Sequence, residues 1–310
     1  MSPAARRLAW LAVLAVLAAA PLVLGTYGSA MLARILVFAL FAASLDLLVG
    51  TTGLPSLGHG AYFGAGAYAA GWMAIHVTRT GPVTLAAAAA TGGLVALVAG
   101  SVAVRARGVF FLMLTLAVGE IVEQLAQSWH SVTGGSDGLY GIPATRLAGV
   151  ALTDVRDLAW YVLGAFIAGM ALLRCIVGSP LGATLRGIRD NEPRMRALGY
   201  RTYHYKLAAF VISGGVAGVA GGLLAAQQRL VTPGDLGLAT SVPVLLAVII
   251  GGEATAWGPS LGAAIVVLLR DVLGPGLGGH GSLVLGGVFV AVVFLLPGGL
   301  ARMRSRIADG

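Results

Sequence analysis

Ten stretches of almost unbroken apolar sequence, joined by mostly short polar connections, limit what this 310-residue chain can become. They run Leu8–Leu24, Ala30–Val49, Leu57–Val77, Pro82–Val104, Gly108–Ser128, Leu158–Gly178, Lys206–Ala226, Leu236–Gly251, Pro259–Leu273 and Ser282–Leu296. A helix that crosses the hydrocarbon layer of a bilayer needs about 20 apolar residues. Charged residues make up 10% of the chain, against roughly 25% in soluble globular proteins. A water-soluble domain and a disordered chain are thereby excluded. The 47 glycines follow no Gly-X-Y period, which excludes collagen. The expectation is an all-α polytopic membrane protein of about ten transmembrane helices, with residues 1–310 as a single transmembrane domain.

The first, eighth and ninth runs are short, so one of them could be interfacial or re-entrant. The first also has the form of a secretory signal, since Arg6 and Arg7 precede it and Gly28-Ser29-Ala30 offers a cleavage site. An uncleaved first span fits the charge pattern equally well. Cytoplasmic loops retain the basic residues. With the N-terminus inside, 14 basic residues fall on the inner side, among them Arg105, Arg107, Arg189 and Lys206, and six fall outside: Arg34, Arg79, Arg146, Arg156, Arg229 and Arg270. That distribution predicts both termini in the cytoplasm. A net charge of +8 would suggest nucleic acid in a soluble protein; here the charges serve orientation, and no nucleic-acid partner is expected.

Inside lipid, helices gain little from burying apolar surface against each other and rely on close backbone approach. Gly60, Gly64, Ala67 and Gly71 form a small-residue stripe on the third run, Gly214, Gly218, Gly221 and Ala225 one on the seventh, and Gly92, Ala96 and Gly100 a shorter one on the fourth. These predict the helix-packing seams.

Two motifs resemble catalytic ones. Gly64-Ala-Gly-Ala-Tyr-Ala69 matches G-x-G-x-x-A but lies within an apolar helix without the strand that the dinucleotide fingerprint needs. Gly134-Gly-Ser-Asp-Gly138 matches G-x-S-x-G, with His130 and Asp137 nearby, but lacks the α/β sheet a nucleophile elbow requires. It reads as a glycine-rich turn, and an intramembrane hydrolase using Ser136 is the lesser alternative. The lone Cys175 sits in an apolar run and reads as an inert buried thiol. The only lysine, Lys206, is flanked by Tyr205 and Leu207, so a Walker motif is absent. No catalytic residue, metal or cofactor is expected, and any pumping must draw on another subunit or on an ion gradient. For a gradient the candidates are Glu120 and Glu123, one face of the fifth run. Asp46 falls near the inner end of the second run, where the interface could solvate it.

Two connections are long. Residues 129–157 form a glycine-rich external loop with Asp137 and Arg146; residues 179–205 form a basic cytoplasmic loop. In the latter, Leu181, Leu185 and Ile188 share one helical face. Asn191 can cap a second short helix with Pro193 in its first turn and Gly199 at its C′ position. That second helix buries at most Met195 and Leu198 and presents Arg194 and Arg196. Such an amphipathic helix suits a groove on a soluble partner, or contact with anionic lipid.

At Leu45–Ala70 with its Ser56-Leu-Gly-His59 turn, and at Arg107–Glu120, Thr133–Pro143, Ser179–Ser213 and Trp257–Ala263, the sequence resembles the LivM-type permease subunits of bacterial branched-chain amino acid ABC transporters. It departs from their pattern at Leu54, where they commonly have glutamine, at Glu253, where they have a small or apolar residue, and at Gly298, where they have arginine. The resemblance implies a multi-pass inner-membrane permease. It also implies a LivH-type second permease, two ATP-binding subunits and an external solute-binding protein as partners. It places Arg189, Asp190, Asn191, Glu192, Arg194, Leu198 and Gly199 in an ATPase-coupling segment. Ser56, His59, Thr115, Glu120 and Ser213 become translocation-path candidates, and Asp137 and Arg146 candidates for contact with the binding protein. The alternative is a self-contained ion-coupled carrier using Glu120 and Glu123.

Overall fold

The computed structural model describes residues 17, 19–255, 257–273, 286, 287 and 290. Among the described residues, nine principal helices follow in order: α1 Thr26–Asp46, α2 His59–His76, α3 Gly81–Ala103, α4 Val109–Ser128, α5 Val155–Gly178, α6 Pro180–Ala197, α7 Thr202–Gln228, α8 Leu238–Gly251 and α9 Gly258–Leu268. Among the described residues, six segments are long and apolar enough to cross a membrane: Thr26–Thr52, Gly81–Ala103, Val109–Ser128, Val155–Gly178, Thr202–Gln228 and Pro233–Gly251. Six of the ten expected spans meet this measure among the described residues. The first and last expected runs lie almost entirely outside the described residues, as do both termini.

The third run falls short for a physical reason. Helix α2 has 18 residues, and most of them, from His59 to Ala74, are buried by protein. A helix sheathed by its neighbours needs small residues for close packing rather than bulky apolar ones for lipid. The ninth run is shortened to α9, which passes into a π-helical turn, Leu269–Leu273.

Helices α2, α3 and α7 form the centre, and small residues set their spacing. A Cβ at Gly218 would overlap the carbonyl of Ala88, one at Gly92 the carbonyl of Gly214, and one at Gly221 the carbonyl of Phe63. The seam expected on the fourth run is thus where α3 meets α7; on the seventh, Gly214 and Gly218 meet α3 and Gly221 meets α2. On α2 the expected stripe is corrected. Gly60 and Gly64 face Leu236 and Gly237 at the start of α8, Gly71 faces Ile142, and it is Gly66, outside the stripe, that abuts the Gly218 backbone. With three neighbours, α2 needs small residues on more than one face. A ring cluster of Phe41, His59, Phe63, Tyr62, Phe210 and Phe111 fills the space beside this seam.

Outward-facing side chains on α3, α4 and α5 are large and apolar, including Leu94, Val98, Phe110, Met113, Ile121 and Leu172. Exposed apolar surface on this scale belongs against lipid or another subunit. Cys175 lies on this surface too, exposed rather than buried as expected.

The connections divide between two ends of the bundle. One end carries 47–58, 104–108, 179–201 and 252–257; the other carries 77–80, 129–154 and 229–237. The second end is not purely helical, which corrects the all-α expectation in its loops. Leu139–Tyr140 pairs antiparallel with Leu230–Val231, and Arg146–Leu147 pairs with Val150–Ala151.

Because the Ala88 carbonyl and the Gly92 backbone are rigid, Gly218→Val is expected to cost about 3 kcal/mol or more through overpacking, read as a lower unfolding temperature of the detergent-purified protein. Gly164, with open space where a Cβ would go, is the control: Gly164→Ala should leave that temperature unchanged or raise it slightly.

Candidate functional site

Helix α6 is two helices joined at a kink. Ser179 caps the first, its Oγ accepting from the Gly182 amide at 3.5 Å, and Pro180 occupies the first turn. Leu185 and Ile188 are buried against the bundle and Leu181 packs beside them. At Asn191 the backbone leaves helical geometry (φ −158°, ψ 90°), and its Oδ1 accepts from the Arg194 amide at 3.0 Å. Asn191 therefore ends one helix and caps the next. The second helix closes at Leu198, and Gly199 follows with φ +89°, a conformation that favours glycine. Met195 folds over Gly187, whereas Leu198 is 65% exposed and buries nothing. Asp190 and Arg194 are exposed as well.

Each half of α6 is tied to a different part of the bundle. In the first half, the Arg189 guanidinium donates to the Gly50 carbonyl in the π-helical turn that ends α1, and to Glu253 Oε1 at 2.8 Å in the α8–α9 connection. Gly53, at φ +74°, leaves room for the Arg189 stem. Asp46 reinforces the same junction: its Oδ1 accepts from the Ala254 amide at 2.9 Å, and its side chain is buried rather than solvated as expected.

In the second half, Glu192 Oε1 accepts from Arg196 Nη2 at 2.6 Å, from Lys206 Nζ at 3.0 Å and from Thr202 Oγ1 at 3.0 Å. Lys206, 3% exposed, also donates to the Val104 carbonyl at the end of α3. Partial burial pushes the Glu192 carboxyl up. The hydrogen bond and charge of Lys206, with the hydrogen bonds from Arg196 and Thr202, outweigh that and hold it at about 2. The sequence placed Lys206 on the inner side but gave no sign that Glu192 would bury against it. Gly50 and Asp46 went unnoticed as partners because they lie some 140 and 200 residues away in sequence from the groups they hold.

A second polar cluster lies inside the bundle. The Ser44 hydroxyl donates to the Phe41 carbonyl at 2.6 Å, and the Ser213 hydroxyl to the Ser44 carbonyl at 2.5 Å. Each hydroxyl has one hydrogen, so both oxygens face His59 Nε2 as acceptors, at 3.0 and 3.4 Å. That network assigns the proton to Nε2. All three side chains are fully buried.

The backbone leading into α2 is non-helical and enclosed, a state tolerated in a membrane only where protein satisfies it. The Leu57 amide donates to Thr115 Oγ1 at 3.2 Å on α4, and the Gly60 amide to Ser241 Oγ at 2.8 Å on α8. Thus Ser56, His59, Thr115 and Ser213 are buried around the start of α2; His59, Thr115 and Ser213 fasten α1, α2, α4 and α7 to one another, whereas the Ser56 hydroxyl makes no hydrogen bond among the described residues. Glu120 stands apart, exposed on α4; Glu123 is half-buried beside Gly237 and accepts from Gln127 at 3.4 Å.

At the opposite end, Asp137 and Arg146 are exposed, and the Arg146 amide donates to the Arg79 carbonyl at 2.7 Å. The nucleophile-like motif forms a turn: His130 Nδ1 donates to the Ser128 carbonyl instead of a carboxylate, and Gly134 and Gly138 take positive φ. Gly64–Ala69 lies wholly within α2.

Residues 27–296 match the family described as branched-chain amino acid transport system / permease component. The chain belongs to this family. It is 29% identical to the high-affinity branched-chain amino acid transport system permease protein LivM of Escherichia coli K12, over 86% of this chain and 68% of that protein. It is 24% identical to a probable branched-chain amino acid transport permease protein LivH of Methanocaldococcus jannaschii, over 84% of this chain and 87% of that protein. A shorter match, 26% identical over 46% of this chain and 42% of the relative, is to the autoinducer 2 import system permease protein LsrC of Salmonella typhi. No solved structure matches this chain significantly. The permease is a multi-pass membrane protein, and its relatives are transport permeases. An independent ion-coupled carrier built on Glu120 and Glu123 finds no support in this family or in the exposed position of Glu120.

Two outcomes are expected. Ser213→Ala should lower stability by about 1 kcal/mol, the scale of an interhelical hydrogen bond in a membrane protein, measured by unfolding in detergent. Because Glu192 is held below its ordinary range, its contribution is complete above about pH 4.5 and is lost as pH falls toward 2. Hydrogen exchange across residues 191–206 should therefore be flat from pH 8 to pH 5, after correction for intrinsic rates, and accelerate below that.

Proposed function

We propose that this permease is the membrane-spanning subunit of an ATP-driven importer in a bacterial inner membrane, forming half of the path for branched-chain amino acids or a related small solute. Its partners are a LivH-type permease, two ATP-binding subunits at the end that carries α6, and an external solute-binding protein at the end that carries Asp137 and Arg146. In this reading the α6 end faces the cytoplasm, in keeping with the excess of basic residues there.

The observation that carries the reading is the double anchoring of α6. Its tip, Leu198 to Arg201 with His204 and Tyr205, lines an open hollow, and Leu198 and Tyr200 expose 65% and 41% of their surface. An exposed apolar tip on a rigid, capped helix suits a groove on a soluble partner. Motion of that partner would pass through Arg189 to the end of α1 and the α8–α9 connection. It would pass through Glu192 and Lys206 to α3 and α7. The small-residue seam between α3 and α7 allows those helices to shift against each other at little cost.

In the reconstituted importer, Arg189→Glu or Gly199→Leu is expected to reduce substrate-stimulated ATP hydrolysis by at least about tenfold while leaving membrane insertion intact. That corresponds to roughly 1.4 kcal/mol of coupling. Adding Glu253→Arg to Arg189→Glu should restore part of it by rebuilding the ion pair. Wild-type stimulation in both single variants would refute the assignment of α6.

A further inference from the structure

Near the end opposite α6, a cavity of about 170 Å³ opens between α1, α7, α8 and α9. Its charged lining is balanced: the guanidinium groups of Arg34 and Arg270, and the carboxylates of Asp235 and Asp271. Its apolar lining includes Phe38, Leu224, Val244 and Val266, of which Leu224, Val244 and Val266 are at most 4% exposed. These residues come from four separate stretches of sequence, and the fold brings them together.

The mixture selects a class of ligand. A net-charged solute would leave one sign of charge in the cavity unmatched, and a purely apolar one would strip water from four ionic groups without replacing its hydrogen bonds. A zwitterion with a small apolar side chain meets both requirements. Size agrees, since a cavity of about 150 Å³ accommodates benzene, so this one admits a short branched side chain.

The charged groups are also available. Arg34 Nη1 and Asp271 Oδ2 pair at 2.8 Å, but their side chains remain 38% and 21% exposed. Such a pair is worth only about 0–1 kcal/mol, so exchanging it for a ligand's charges costs little. Asp235 accepts from the Thr232 amide and hydroxyl, and both bonds fall on Oδ2.

We infer that this cavity is a binding subsite for an α-amino acid zwitterion. The carboxylate lies on Arg34 and Arg270, the ammonium on Asp271 and Asp235, and the side chain against Phe38, Val244 and Val266. The inference rests on the importer reading and adds to it a place where this subunit itself holds the solute.

The test is equilibrium binding of radiolabelled L-leucine, up to millimolar, to the permease assembled with its partner subunits in nanodiscs, without the external binding protein. Competitors are 4-methylpentanoate, which lacks the ammonium, and 3-methylbutylamine, which lacks the carboxylate. Each is expected to compete at least about tenfold more weakly than unlabelled leucine, and Arg34→Gln and Asp235→Asn should each weaken leucine binding by a similar factor. The double variant Arg34→Asp with Asp271→Arg separates ligand contact from folding, because it rebuilds the ion pair with its charges exchanged. Recovered thermal stability without recovered binding supports the subsite. Recovered binding in the double variant, wild-type binding in the single variants, or equal competition by the analogues overturns it. ATP-driven leucine uptake by the complete wild-type importer is measured in parallel. Uptake that persists at the wild-type rate in the variants removes the subsite alone, whereas a wild-type complex that moves no amino acid removes the importer reading beneath it.

Discussion

Everything in this bundle depends on the weakness of hydrophobic burial as a force between helices that already sit in hydrocarbon. What holds them is backbone contact, and that is possible only where side chains are nearly absent. The α3–α7 seam at Gly92, Gly214 and Gly218 and the approach of Gly66 and Gly221 across α2 and α7 are such places. Once those three helices meet at backbone distance, the enclosed start of α2 has neighbours close enough to satisfy it. Thr115 and Ser241 then supply the acceptors that water supplies elsewhere. The Ser44–His59–Ser213 cluster is the same solution in side-chain form. It is costly to leave incomplete in a medium without water, and so it specifies which helices meet.

The two ends of the molecule are built on a different principle. There, ionic groups hold the parts together and long-range pairing replaces packing. Arg189 spans from α6 to Gly50 and Glu253; Lys206 and Glu192 close the other side. The salt bridge of Glu253 with Arg189 gives this junction an ionic tie that a small or apolar residue could not.

How much of this was legible beforehand follows from the range of each interaction. The capped second half of α6 could be read from Asn191, Pro193 and Gly199, because capping is decided within a few residues. The α7 stripe could be read too, since its spacing is periodic and one face dominates. Gly66 was missed because α2 is packed on several sides and no single stripe describes it. Of the described runs, the third does not qualify because hydropathy measures exposure to lipid, which α2 does not need. Asp46, assigned to solvent by its position in the sequence, is buried by a loop some two hundred residues on. The charged cavity was invisible for the same reason, as no local pattern links Arg34 to Asp271.

The kink at Asn191 gives the two-point attachment of α6 a mechanical meaning. A straight rod fixed at one point transmits a push and nothing more. A jointed one, fastened on one side to the α1 end and on the other to the α3–α7 pair, also acts as a tether that caps how far those two groups can part. In the coupling role proposed for α6, its length, rather than the force applied at its tip, would then set the stroke of the subunit.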